Sequence, residues 1–144
     1  MREITGNLWD YHAKGKWVCI TTNGSVRRDG YAVMGRGVAY EAAQRFPGLQ
    51  EHLGRVLTRS GNHVWPFVRW GVATFPVKYR WMEKADIDLI EQSAYELEEK
   101  MSALNAKEVY LVRPGCGNGG LQWENVKPIL VPILNDNFII VERM

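Results

Sequence analysis

Cysteine is scarce in this chain of 144 residues. Only Cys19 and Cys116 occur, far apart and without a CxxC pair. That excludes a disulfide framework and predicts a reducing, cytoplasmic compartment. Histidine is nearly as rare: His12, His52 and His63 are scattered. With no HExxH and no Cys/His cluster, no metal site and no cofactor is expected. His52 falls on a helical segment and is expected at the surface. No stretch approaches the ~18 apolar residues of a membrane span, and the first residues carry no apolar signal core, so no membrane partner is expected. Charge of one sign is also missing. The net charge of +2 is too small to imply a nucleic-acid partner by electrostatics alone. Neither a GxxxxGK[ST] loop nor a GxSxG elbow occurs.

What is present fits one globular domain over residues 1–144, expected as a monomer. Hydrophobic residues make up 46% and charged residues 24%, enough for a core without staples. The readable elements alternate. Residues 16–22 read as a buried strand, 36–46 and 49–58 as helices. In the second helix Leu49, Leu53, Val56 and Leu57 share a face that Gly54 weakens. Residues 63–67 and 70–75 read as short strands, and Pro66 marks the first as an edge piece. The clearest helix covers 86–104, with Asp86 as its N-cap and one apolar stripe. A strand at 108–112, a helix at 123–134 shortened by Pro128 and Pro132, and a strand at 137–142 complete the chain. This order implies an α/β fold whose ligand sits beyond the carboxyl ends of the strands.

Fourteen glycines are present, and two short clusters hold half of them. The first cluster lies in GYAVMGRGVA, residues 30–39, between the first read strand and a helix. The second lies in PGCGNGGL, residues 114–121, between the strand at 108–112 and the next helix. Glycine lets a backbone approach a ligand closely, and a helix N-terminus offers free amides to an anion. Two such loops could clamp a pyrophosphate, although each alone also fits a tight connection. Lys78 ends the FPVK run with Trp81 following. A lysine among aromatic residues at a strand's end can serve as an amine nucleophile, or simply be an exposed loop lysine. Asn23 can hydrogen-bond a sugar hydroxyl or act as a turn residue before Gly24. Cys116 reads either as a thiolate at a helix N-terminus or as a small residue filling a tight loop.

Four segments in order resemble macro domains: ITGNL at 4–8, VMGRGVA at 33–39, FPVK at 75–78 with Trp81, and GCGNGGLQWENV at 115–126. The resemblance is nearest to the branch holding the DNA ADP-ribosyl glycohydrolase antitoxins and the terminal ADP-ribose protein glycohydrolase. It implies a three-layer α/β/α sandwich with a mixed central sheet. It implies ADP-ribose, or ADP-ribosylated DNA or protein, as ligand. Asn7 and Leu8 would serve the adenine side. Met34, Gly35, Gly37 and Val38 would hold the pyrophosphate and distal ribose, with Asn23 near that ribose. Gly115, Cys116, Gly117, Asn118, Gly119, Gly120 and Leu121 would wrap the phosphates from the other side. Residues 24–33 look like an insertion. Lys78 matches the branch's catalytic lysine at the anomeric carbon, where it would attack C1″ or stabilise developing charge. The human-type enzyme has an aspartate in its last glycine loop; Gly119 stands at the matching position here, as in the antitoxin-like proteins. The implied activity is hydrolysis of an ADP-ribose linkage. The alternatives are a non-catalytic reader and an ADP-ribose 1″-phosphate phosphatase.

Overall fold

The computed structural model describes residues 1–144. Eleven elements follow in order: β1 (Arg2–Gly6), α1 (Leu8–Ala13), β2 (Trp17–Asn23), α2 (Gly37–Arg45), α3 (Leu49–Ser60), β3 (Pro66–Phe67), β4 (Val72–Lys78), α4 (Ile87–Ala103), β5 (Val109–Val112), α5 (Trp123–Leu130) and β6 (Phe138–Arg143). The sheet order is β1-β6-β5-β2-β4-β3. All neighbours pair in parallel except β3, which runs antiparallel to β4. The sheet is therefore mixed, as the alternation of elements predicts.

Alternate residues of each strand point to opposite faces, and the core divides accordingly. Val18, Ile20, Tyr110, Val112, Ile139 and Val141 pack with α1, α2 and α3. Cys19, Ala73, Phe75, Leu111, Phe138 and Ile140 pack with α4 and α5 on the other side. Both faces are covered, which explains the unbroken apolar runs in β5 and β6.

Several elements differ from the sequence expectation. β1 and α1 are additional. β1 is a five-residue edge strand with no buried residue, and α1 has six residues, so neither carries much periodic signal. β4 runs on through Pro76 to Lys78 rather than ending at Phe75. Pro76 supplies no amide, and the pairing with β2 shifts register immediately afterwards, between Thr22 and Asn23. The strand expected over 63–67 shrinks to Pro66–Phe67. The Thr74 hydroxyl takes the Trp65 amide at 2.8 Å and donates to the His63 carbonyl at 2.9 Å, replacing part of the backbone ladder. The last helix stops at Leu130, two residues before Pro132. His52 is not a free surface residue, since its ring packs edge-on against Phe67 and Trp70.

Gly54 has a packing reason. An ideal Cβ there would lie 1.9 Å from the Gly30 carbonyl oxygen. The helix accepts a poor helix former so that the 24–33 loop can cross it at van der Waals contact. That loop is ordered against α3 by paired bonds: the Ala32 amide to the Gln50 carbonyl at 3.1 Å, and the Gln50 side-chain amide back to the Ala32 carbonyl at 2.9 Å.

Candidate functional site

The parallel strands β2, β4, β5 and β6 end along one edge of the sheet. β2 leads to α2 on one face, and its neighbour β5 leads to α5 on the other. Loops leaving in opposite directions open a crevice between them. A cleft of about 1230 Å³ occupies that place. It is lined by the strand ends and by residues from three loops, 33–39, 81–84 and 113–124.

The first loop begins at Asn23. Its Oδ1 accepts the Ser25 amide at 2.9 Å and its Nδ2 donates to the Val33 carbonyl at 3.1 Å. Asn23 thus pins both ends of the 24–33 excursion while still lining the cleft. Beyond it Gly35 faces open space, with nothing within 4 Å of an added Cβ. Gly37 opens α2 with φ +58°. The amides at the start of α2 have no partner within the helix, and Gly37, Val38 and Ala39 line the cleft. This is an anion-favouring end of a nine-residue helix.

The second loop is folded on itself. The Leu121 amide bonds the Gly115 carbonyl at 2.9 Å, and the Ala85 amide bonds the Gly119 carbonyl at 2.9 Å. A Cβ on Gly119 would lie 2.5 Å from the Gly115 oxygen and 2.8 Å from the Ala85 Cβ. No side chain fits at that position, so the acid that the human-type enzyme places there has no room in this backbone. A Cβ added to Gly117 would meet nothing within 4 Å, and the Asn118 Nδ2 sits 3.3 Å from a Cβ built on Gly37. The two glycine loops therefore meet across the cleft.

Lys78 ends β4 and enters the same cleft. Its Nζ lies 3.5 Å from the Trp81 carbonyl. The backbone around it is fixed from three directions. The Asn62 Nδ2 donates to the Lys78 carbonyl at 3.1 Å. The Gly24 amide donates to the Tyr79 carbonyl at 3.1 Å. The Trp81 amide donates to the Ser25 hydroxyl at 3.0 Å. A Cβ on Gly24 would come within 2.8 Å of the Tyr79 oxygen, so this approach requires glycine.

The lining is electropositive. Arg36, Lys78, Lys84, Arg113 and Arg143 face Glu83, Glu124 and Glu142. Arg113 pairs with Glu142 at 3.2 Å and Arg143 with Glu41. The Arg143 guanidinium, with help from the Trp9 N–H, holds the Glu41 carboxyl below the usual range against the opposing effect of burial. Arg36, Lys78 and Lys84 have no carboxylate partner. A concave site with unpaired cations favours an anionic ligand.

Asn23, Gly35, Gly37, Val38, Lys78 and every residue from Gly115 to Leu121 line the cleft. Three residues that the resemblance named do not. Leu8 and Met34 are buried in the core under α1–α3, so their side chains do not form the cleft wall. The Asn7 side chain caps α1 by accepting the Trp9 amide at 3.0 Å, one residue beyond Gly6, which pairs with the lining residue Arg143. Cys116 is half-buried, and burial pushes its thiol above the ordinary range despite the nearby Arg113. It is a packed loop residue rather than a thiolate. Sequence reasoning missed Arg113, Glu142 and Arg143, which stand at the ends of apolar strands and belong to no motif. It also missed Ser25 and Asn62, whose roles arise only from contacts across the chain.

No family model matches the chain. Among curated proteins, the DNA ADP-ribosyl glycohydrolase of Thermus aquaticus is 25% identical over 136 residues, covering 88% of this chain and 36% of that protein. The chain spans about a third of the length of the curated relatives it matches. Among solved structures, the macrodomain of Thermus aquaticus DarG superposes with a TM-score of 0.80 at 24% identity, covering 98% of this chain and 96% of that one. Thermosipho africanus DarTG in complex with ADP-ribose matches 90% of this chain and 38% of that one, with a TM-score of 0.74 at 18% identity.

Proposed function

We propose that this chain, which shares its fold with solved macrodomains, is a macro domain whose cleft binds ADP-ribose, and that Lys78 hydrolyses the bond joining ADP-ribose to a modified DNA base. The observation that carries this reading is the meeting of three features in one cleft: the open amides at the start of α2, the folded 115–121 loop, and the Lys78 amine without a carboxylate partner. The similarity to a DNA ADP-ribosyl glycohydrolase and to a DarTG in complex with ADP-ribose supports the reaction and the ligand.

In this reading the pyrophosphate lies between the two glycine loops, taking backbone amides on both sides. The distal ribose then extends toward the end of β4. The Lys78 amine attacks C1″. The bond from C1″ to the base nitrogen breaks, and its electron pair leaves with the base, which takes a proton from water. In the glycosylamine so formed the C1″–O4″ bond breaks, O4″ takes a proton given up by the Lys78 nitrogen, and C1″ and that nitrogen remain joined as a protonated Schiff base. Water hydrolyses it, returning the amine and releasing ADP-ribose. The second glycine loop supplies no acid, because Gly119 has no room for a side chain.

Lys78→Ala is expected to lower release of ADP-ribose from ADP-ribosylated thymidine DNA by on the order of a thousandfold, while calorimetry still detects ADP-ribose binding. With the wild-type protein, cyanoborohydride during turnover should leave a covalent adduct that mass spectrometry maps to Lys78. Undiminished turnover in the variant removes Lys78 from the mechanism. Turnover without a trapped adduct assigns it charge stabilisation instead. Binding without turnover on any linkage makes the protein a reader. Consumption of ADP-ribose 1″-phosphate alone makes it a phosphatase.

A further inference from the structure

The turn that follows Lys78 carries three exposed large hydrophobic side chains at the cleft rim. Tyr79, Trp81 and Met82 are each about half exposed, at 51%, 51% and 53%. Trp81 and Met82 line the cleft beside Lys78. Exposed aromatic residues on a mobile loop would be unremarkable, but this turn is held in place. The Trp81 amide is bonded to Ser25 and the Tyr79 carbonyl to Gly24, so the 24–29 segment braces it from behind. The bracing segment and the turn also carry Arg28 and Arg80. Both are exposed and neither forms an ion pair. A fixed aromatic platform with one free cation next to it in the chain, Arg80, and a second, Arg28, on the segment that braces it suits a nucleic-acid strand: bases stack on the rings and phosphates meet the arginines.

We propose that Trp81 is the stacking platform for the departing nucleobase, and that Arg28 and Arg80 receive the phosphates of the single strand carrying it. The proposal rests on the reading above, which brings C1″ to Lys78 and sends the leaving group past Trp81. It commits to a single-stranded nucleic acid. A peptide bearing ADP-ribose on a carboxylate offers neither a flat ring for Trp81 nor a row of phosphates for the arginines. The small net charge of +2 is consistent with this, since the proposal needs two cations at one rim and not a basic protein.

The test uses the hydrolysis-deficient Lys78→Ala background, so that binding is read without turnover. Fluorescence anisotropy measures the Kd for an oligothymidine carrying one ADP-ribosylated thymidine, and calorimetry measures the Kd for free ADP-ribose. Adding Trp81→Ala is expected to weaken the oligonucleotide about tenfold and leave free ADP-ribose unchanged. Trp81→Phe should recover most of the loss, because a ring is restored. Adding Arg80→Ala should flatten the plot of log K against log salt by about 0.7 for the oligonucleotide. Equal loss for both ligands would place Trp81 in the ADP-ribose site and overturn the platform. So would no loss for either, or an equal loss on a carboxylate-linked ADP-ribosyl protein. If free ADP-ribose does not bind at all, the functional reading falls, and the platform with it. If it binds but the oligonucleotide binds no tighter, only the platform falls.

Discussion

The two glycine loops look alike in sequence and differ in what their glycines do. In the 33–39 loop, Gly35 stands in open space and Gly37 takes a left-handed φ of +58° to start α2. In the 115–121 loop, Gly115 and Gly119 are enclosed. An added Cβ on Gly115 would sit 2.8 Å from the Ile90 Cδ1, and one on Gly119 would sit 2.5 Å from a backbone oxygen. The first loop is glycine-rich to leave room for a ligand. The second is glycine-rich chiefly to fold tightly against Ala85 and Ile90, with Gly117 and Gly120 exposed. A phosphate cradle can thus be half vacancy and half core packing, and substitutions should separate the two halves.

The sharpest separation is expected from Gly119→Ala. The new methyl would displace the Gly115 carbonyl, which accepts the Leu121 amide, and would push on Ala85. Overpacking against backbone costs about 3 kcal/mol, which in a chain of this size lowers Tm by roughly 6–12 °C. Thermal unfolding reads this directly. An unchanged Tm would mean that the loop is loose and that its glycines serve the ligand after all. Gly35→Ala should behave in the opposite way. Its φ is not left-handed and its Cβ meets nothing. Stability should change by less than about 0.5 kcal/mol, while affinity for ADP-ribose falls on the order of tenfold, as a methyl enters the ligand's space. A large drop in Tm with unchanged affinity would reverse the roles assigned to the two loops.

Sequence reading located both loops but could not tell them apart. Glycine spacing announces backbone freedom, whereas its use depends on what lies across the fold. Ala85 and Ile90 come from another connection and helix, 25 to 34 residues earlier. The long elements were legible because one stripe or one apolar run decides them, as in α4 and β6. The short ones were not: β1 buries nothing, and α1 is a single capped turn and a half. Lys78 could be suspected from its place after an apolar run, but the bracing by Ser25 and Asn62 could not, since neither residue has a local pattern. Gly54 shows the same limit. Helix propensity marks it as a weak point, and only the crossing of the Gly30 carbonyl explains it. The family resemblance went further than the residues alone, yet it also carried Leu8 and Met34 into a site whose walls they do not form.

The smallest expected effect concerns Cys116, and it tests the packed character of the second loop by chemistry. Its thiol lies 3.5 Å from the Pro114 carbonyl. Burial disfavours the thiolate and outweighs the attraction of Arg113, with Glu124 adding to the upward push. A raised thiol pKa means less thiolate at any given pH than a free thiol near 8.5 would have. Alkylation of the native protein by iodoacetamide at pH 8 should therefore be a few-fold slower than that of glutathione, and its rise with pH should be displaced to the alkaline side. Cys19 is fully buried, so the native signal belongs to Cys116. ADP-ribose should slow the reaction further, because Cys116 lines the cleft. Reaction faster than glutathione at neutral pH would show that the loop's amides stabilise an anion on the sulfur itself. That outcome would make the second loop an open anion site like the first, and the contrast between them would disappear.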